Sequence, residues 1–518
     1  MSGRIFSGRE LNADVTERCE VCIIGTGCGG ATVGVNLAEA GRDVVFLERG
    51  GAYTKDDFDQ REIDMLAKID GGRALDISDD GAVQLTYGNN VGGASVHYWA
   101  DSYRTPADRL ELWAQRYGLT GRSEADLAPH FAILEKDLNV HEAEPRFYNR
   151  MNQLLKQGAE QLGWQGRPVP QARKPCAASG FCMQGCSYDY KQSQLVTHLP
   201  RAVAAGARIY ADCEARTLVF GSGPSTVTAL EAAILDRATG RPSGRKVRVE
   251  AKVFVVAAGG YGSPVFLLRQ GLKGRLPALG EHTYCNPCPM VHALFDEEIL
   301  QFRNIPAAWG VEHFRLARHD GDRYVEGGYL LMANQLQPAT LAAVLPGLGG
   351  SHRRLMASLR RLGGTICWID DVEEGSVRLA GDRPVYHTPL TGGNALRIRD
   401  AFAKQARLLF AVGAKEILFG DARDTRLVPS QIEQIDRTVA ALDLTPGRFV
   451  LAAPHPAGGA RMGSDPRVSV VGMDSRVHGT GNLFVTDPSV FPTAPSVDPS
   501  LTIMAFSRIA ADHIRALL

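Results

Sequence analysis

Six residues, Gly25-Thr26-Gly27-Cys28-Gly29-Gly30, restrict the folding of this chain more than any others. A short apolar run, Cys19 to Ile24, leads into them with strand character. Ala31 to Gly41 follows with helical spacing, placing Val33, Leu37 and Ala40 on one face. Asp43 to Leu47 reads as a second strand, closed by Glu48. Strand, glycine turn, helix, strand and acid form a dinucleotide-binding unit. Gly25 makes the tight turn, Gly27 admits the pyrophosphate, and Gly30 lets the helix pack on the strand, with Gly29 in the same run. The helix N-terminus then faces the phosphates. Glu48, 18 positions past Gly30, stands where a carboxylate bonds the ribose hydroxyls. Cys19, Cys22 and Cys28 fit here as small buried hydrophobes rather than metal ligands.

The rest of the chain is too long for this unit alone: 518 residues imply two or three folding units. Lys plus Arg equals Asp plus Glu at 57 each, so no charge excess recruits nucleic acid or an anionic membrane. No apolar run approaches the length of a bilayer span. Met1 to Arg18 is polar and mixed in charge, unlike a secretory signal, and a cytoplasmic protein is expected.

Five further stretches carry chemistry. Tyr87 to Trp99 holds Gly88-Asn89-Asn90-Val91-Gly92-Gly93-Ala94-Ser95-Val96-His97, whose glycines bring backbone close to a ligand. Cys176, Cys182 and Cys186 sit in a C-x5-C-x3-C spacing that brings three thiolates within reach of one centre. Structural zinc wants four ligands, so three thiolates suit a three-iron cluster better, with a loop of unligated thiols as the alternative. The buried strand Val253 to Ala258 runs into Gly259-Gly260-Tyr261-Gly262-Ser263-Pro264 and a helix. His455-Pro456-Ala457-Gly458-Gly459 offers an imidazole that can take a hydroxyl proton at physiological pH, or a structural histidine in a turn. The closing block contains a strand ending at Asp487, then Ser496-Val497-Asp498-Pro499-Ser500.

In this order the blocks resemble the glucose-methanol-choline (GMC) oxidoreductase family, FAD-dependent enzymes that oxidise alcohols. The resemblance runs from Cys19 to the C-terminus. It implies that the Asn89, Asn90, Gly92, Gly93 and Ser95 loop runs along the flavin, and that Ala258, Asp487 and Pro499 also border FAD. His97 stands at the offset where some members carry flavin covalently; packing against the flavin without a bond is the expected role. Some members hold a [3Fe–4S] cluster on three cysteines spaced like Cys176, Cys182 and Cys186, and pass electrons to a cytochrome. His455 matches the family's base, which takes the hydroxyl proton as hydride leaves for flavin N5. The family places His or Asn at the second catalytic position, where this chain has Asp498. A charged aspartate cannot donate to an alkoxide, so Asp498 is expected to orient another group, accept from an amine or hydroxyl of the substrate, or be protonated by burial.

The expected fold class is α/β, a Rossmann-like FAD-binding domain over 15–110, 186–286 and 450–518. A substrate domain over 111–185 and 287–449 is expected to be a mainly antiparallel sheet with helices. The apolar, arginine-bearing stretch Ala339 to Arg361 reads as a solvated helix face, or else a partner or membrane patch. The expected reaction is FAD-dependent oxidation of a polyol, sugar or aminosugar. Long-chain or aromatic alcohols are the first alternative, and a flavin/iron–sulfur subunit serving a cytochrome partner is the second. The electron acceptor is oxygen or a redox protein.

Overall fold

The computed structural model describes residues 3–73, 75–223, 225–449 and 451–518. Val450, where the third FAD-binding segment is expected to start, lies outside them, as do Met1 and Ser2 of the polar N-terminal stretch.

The βαβ unit forms as the sequence predicts. Strand β1 (Val15–Ile24) ends in four fully buried residues, and helix α1 (Cys28–Glu39) follows the glycine turn. Strand β2 (Val44–Leu47) lies parallel to β1, with Val21 opposite Val44 and Ile24 opposite Leu47. Strand β3 (Arg208–Tyr210) extends this sheet beyond β2, and Arg4–Phe6 pairs with β3 at the edge.

Strand β4 (Pro242–Val256) lies on the other side of β1, parallel to it from Val247 to Val256. The buried strand predicted from Val253 is the end of this longer strand. Its first half alternates between exposed and covered residues and pairs antiparallel with Val227–Leu235. Its last four residues are fully buried. A strand covered on one face alternates, whereas one covered on both faces reads as continuously apolar, so the change of pattern marks a change of cover. Strand β5 (Leu483–Val485) returns from the C-terminal region to pair with Phe254–Val256. Helices α2 (Gly259–Arg269) and α3 (Ser500–Leu517) complete this half, and α3 packs on α1.

Among the described residues a second sheet has seven strands, all neighbours antiparallel. It runs from Arg426–Leu427 at one edge through the wholly buried Leu362–Ile369 to Gly166–Pro168 at the other. The helix Gly392–Ala411 packs on it and starts earlier than the apolar spacing from Asp400 predicts. Between the two sheets lies a small antiparallel one. In it Glu281–Tyr284 pairs with Gly375–Ala380 on one side and Ala457–Gly458 on the other. Ala339 to Arg361 forms two helices, Pro338–Val344 and Gly350–Ala357; Leu341, Leu345 and Leu355 are buried, while Leu348 between the helices is 91% exposed. Among the described residues no helix is long and apolar enough to cross a membrane.

Asn482 fastens β5 to the sheet. Its side-chain amide donates to Val227 O and Lys252 O, both at 2.8 Å, and its Oδ1 accepts from Val227 N at 3.0 Å. Asn482→Ala leaves these buried groups without partners, and urea unfolding should show a loss of about 1–3 kcal/mol; an unchanged midpoint would refute the role.

Candidate active site

The first glycine turn is held open by Thr26 and Glu48. Glu48 is buried; its Oε2 accepts from Thr26 N at 3.0 Å and Thr26 Oγ1 at 2.7 Å, and its Oε1 from Gly50 N at 2.9 Å. Burial pushes the Glu48 carboxyl above its usual range, against the pull of those donors. Thr26 Oγ1 in turn accepts from Gly92 N at 3.0 Å, so one hydroxyl couples the βαβ turn to the Asn89–Ser95 loop. No sequence signal singles out Thr26, because its glycine neighbours carry the motif.

A dinucleotide such as FAD fits here. The first turn of α1 has no side-chain cap, which leaves its N–H groups for a phosphate. A Cβ on Gly93 would fall 2.7 Å from Gly27 Cα, so two glycine backbones face each other where side chains would close the gap. Asn90 donates to Ile69 O at 3.0 Å, while its buried Oδ1 has no partner among the described residues. His97 is buried as well, and its Nε2 likewise lacks a partner among the described residues. Burial, helped by Lys191, pushes the His97 imidazole down to about 3, which keeps it neutral. Ala258 is exposed at the start of α2.

Other expected cofactor residues face the protein. Ser95 Oγ donates to Gly92 O at 2.7 Å and accepts from Gln194 N at 2.9 Å, which shapes the loop. Asn89 Oδ1 accepts from Arg49 Nε at 2.9 Å. Asp487 accepts from Gly259 N at 3.0 Å, Ser489 N at 2.9 Å and the hydroxyls of Ser263 and Ser489. It therefore clamps the end of β5 to the start of α2. Burial raises its carboxyl above the usual range against those four donors.

His455 reaches the same region because its loop is pressed onto α2. A Cβ on Gly260 would fall 2.3 Å from Pro456 O. Pairing of Tyr284 with Ala457 and of Thr283 with Gly458 fixes the chain just beyond. The imidazole Nε2 lies 3.4 Å from Asp498 Oδ1, and the ring packs against Trp368 with centroids 5.1 Å apart. His455 Nδ1 and Asp498 Oδ2 are buried without a partner among the described residues. Pro499, half-buried, follows Asp498 at the head of α3.

Four residues without a sequence signal also meet here. Trp368 is the penultimate residue of the central antiparallel strand, and Trp99 lies against it with centroids 5.8 Å apart. Together with Tyr103, Cys288, Met290 and Val497 they form one apolar cluster. Asp101 is buried, accepts from Gln171 Nε2 at 2.7 Å, and has no partner for Oδ2 among the described residues. Lys191 is buried and donates to the carbonyls of Val96, Tyr98 and Cys182; burial pushes it down to about 8.

Nothing in the structure supports the iron–sulfur reading of the three-cysteine loop. Cys176, Cys182 and Cys186 border one cavity with Arg173 and Lys191. Yet among the described residues no three His, Cys, Asp or Glu side chains are arranged to hold a metal ion. The thiols are turned to different donors: Cys182 Sγ accepts from Arg173 Nη1 at 3.5 Å and Cys176 Sγ from Ala178 N at 3.3 Å.

Two family profiles, both described as GMC oxidoreductase, match residues 21–288 and 371–507. An uncharacterised GMC-type oxidoreductase of Mycobacterium tuberculosis is 30% identical over 96% of this chain and 76% of its own length. A long-chain-alcohol oxidase of Arabidopsis thaliana is 26% identical over 96% of this chain and 67% of its own. A 6'''-hydroxyparomomycin C oxidase of Streptomyces lividus is 24% identical over 96% and 92%. In fold, a solved formate oxidase from Aspergillus oryzae superposes with a TM-score of 0.73 at 14% identity, covering 97% of this chain and 99% of that one.

Asp371 makes stability near the site depend on pH. Its Oδ2 accepts from Cys285 N at 2.8 Å and its Oδ1 from Asn286 N at 3.3 Å, while burial raises the carboxyl from 3.8 to about 7. A carboxyl raised in the fold holds its proton more tightly there than in the unfolded chain. Its contribution is therefore full below the unfolded value and declines as pH rises to about 7. Thermal unfolding of Asp371→Asn should show a flatter decline between about 4 and about 7 than the parent chain; superimposable profiles would contradict this.

Proposed function

The chain belongs to the GMC oxidoreductase family, which acts on CH–OH donors, and from that premise we propose that it oxidises an aromatic or long-chain alcohol to the carbonyl, with FAD as cofactor and His455 as base. Bound FAD would supply the two-electron acceptor for the alcohol carbon. The uncapped first turn of α1, the Gly27 and Gly93 backbones, Asn90, His97 and Ala258 would hold it.

The observation that carries the reading is the placement of His455 between Trp368 and Asp498. His455 Nε2 lies 3.4 Å from Asp498 Oδ1, and its Nδ1 is buried without a partner among the described residues. An imidazole held there can take the hydroxyl proton as the carbon is oxidised. Packing of Trp368 over the ring limits rotation and keeps water from the base.

The substrate class follows from the same wall. Trp99, Trp368, Met290 and Val497 offer apolar and aromatic surface beside His455 and few polar groups to read a sugar. The Arabidopsis relative, a long-chain-alcohol oxidase, supports this choice. The polyol, sugar or aminosugar reading keeps two supports: the unpartnered Asp498 Oδ2, which would accept from a substrate amine or hydroxyl, and the Streptomyces lividus relative, a 6'''-hydroxyparomomycin C oxidase. The iron–sulfur alternative draws no support from the cysteine geometry, and oxygen is the acceptor in the favoured reading.

With FAD-loaded protein and an oxygen electrode, kcat/KM should be higher for aromatic and long-chain alcohols than for polyols or aminosugars; the reverse order would favour the polar reading. His455→Ala should lower kcat by about 100-fold or more with an unchanged flavin spectrum. Full activity in that variant would remove His455 as the base.

A further inference from the structure

Lys191 is buried without an acid beside it. A lysine is almost never enclosed unless a carboxylate pairs with it. Here the ammonium donates to three main-chain carbonyls instead, those of Val96 at 2.6 Å, Tyr98 at 3.1 Å and Cys182. An ammonium has three donors and no acceptor, so none is left over for a ligand. Whatever Lys191 does, it does through the chain it holds. Two of its three acceptors are the carbonyls on either side of His97.

His97 depends on that hold. Its Nε2 is buried with no partner among the described residues, so no hydrogen bond at that atom aims the ring. The main chain beneath it is fixed at several points. Thr26 Oγ1 accepts from Gly92 N at 3.0 Å and Ser95 Oγ from Gln194 N at 2.9 Å, both ahead of His97, and Lys191 then spans the residue itself. Tyr98 Oη donates to Gln192 O at 3.2 Å, which keeps the loop against the same short stretch. Arg173 repeats the pattern one residue on, donating to Trp99 O and to Cys182 Sγ. Cys182 is thus the far anchor of both cations.

We propose that Lys191 is a positioning residue for the flavin: by clamping the carbonyls of Val96 and Tyr98 it sets the His97 ring so that Nε2 is offered to bound FAD. This rests on the FAD-dependent reading above and deepens it.

Charge acts in the same direction. Burial first, and Lys191 second, keep the His97 imidazole neutral, so the ring meets the cofactor as a hydrogen-bonding group and not as a cation. Burial brings the Lys191 ammonium down to about 8, with Arg173 adding to the fall and the Cys182 and Cys186 thiols opposing it. At pH 7 it therefore still carries the charge that strengthens its bonds to the carbonyls.

The test is a double-variant cycle read on the cofactor. Lys191→Met keeps the length of the side chain and removes its donors. It should weaken FAD affinity about tenfold, the worth of one charge-assisted hydrogen bond, and shift the flavin absorbance maximum. His97→Ala should weaken affinity to a similar extent. In the His97→Ala background, Lys191→Met should add no more than about twofold, because the ring through which Lys191 acts is gone. A lysine that only holds the fold together would weaken FAD binding equally in both backgrounds. Lys191→Gln, which keeps a donor for the carbonyls, carries the same cycle if Lys191→Met does not fold. Nitrogen NMR of histidine-labelled wild-type protein needs no change at Lys191: the resonance that His97→Ala removes should move when FAD is added. The inference is overturned if substitution of Lys191 leaves FAD affinity unchanged, if its effect is equal in the two backgrounds, or if the His97 resonance is indifferent to FAD. A wild-type protein that takes up no FAD would instead defeat the cofactor reading beneath it.

Discussion

Backbone meets backbone where α1 begins. A Cβ on Gly29 would fall 1.9 Å from Thr486 O, so the N-terminal glycine turn and the end of β5, from opposite ends of the chain, touch with no side chain between them. Close approach of this kind needs glycine, and it fixes the relative position of everything attached to either side. On one side are the uncapped first turn of α1 and, through Thr26, the Asn89–Ser95 loop. On the other is Asp487, the next residue, which clamps the start of α2. Because Gly260 on α2 meets Pro456 just as closely, the position of His455 is inherited from this first contact.

The buried acids divide into two kinds. Glu48 and Asp487 each give both oxygens to backbone and hydroxyl donors, so their cost of burial is offset and they act as fasteners. Asp101 and Asp498 each keep one oxygen idle. In a water-poor region walled by Trp99 and Trp368, an idle carboxylate oxygen is costly unless a proton or a ligand occupies it.

Much of this was legible in the sequence because it rests on local geometry. The βαβ unit follows from apolar period, glycine spacing and a terminal acid, all within one short stretch. His455 beside Asp498 was legible only through the resemblance to GMC enzymes, since no local rule brings two turns together. Ser95 and Asp487 illustrate how motifs mislead about contacts: both stand at the ligand-binding end of the fold, but their polar atoms serve the protein's own backbone. For the cysteines spacing sets reach alone: Cys182 Sγ accepts from Arg173 and Cys176 Sγ from Ala178 N.

By itself the sequence determined the dinucleotide unit and the kinship with GMC oxidoreductases, because both are written in residue type and short-range spacing. Only the tertiary structure decided what surrounds His455. Trp368 comes from the centre of the antiparallel sheet, Asp101 from the flavin loop and Asp498 from the head of α3. Their meeting depends on how two sheets close over one another. That closure is governed by burial summed over the whole chain, which no local pattern records.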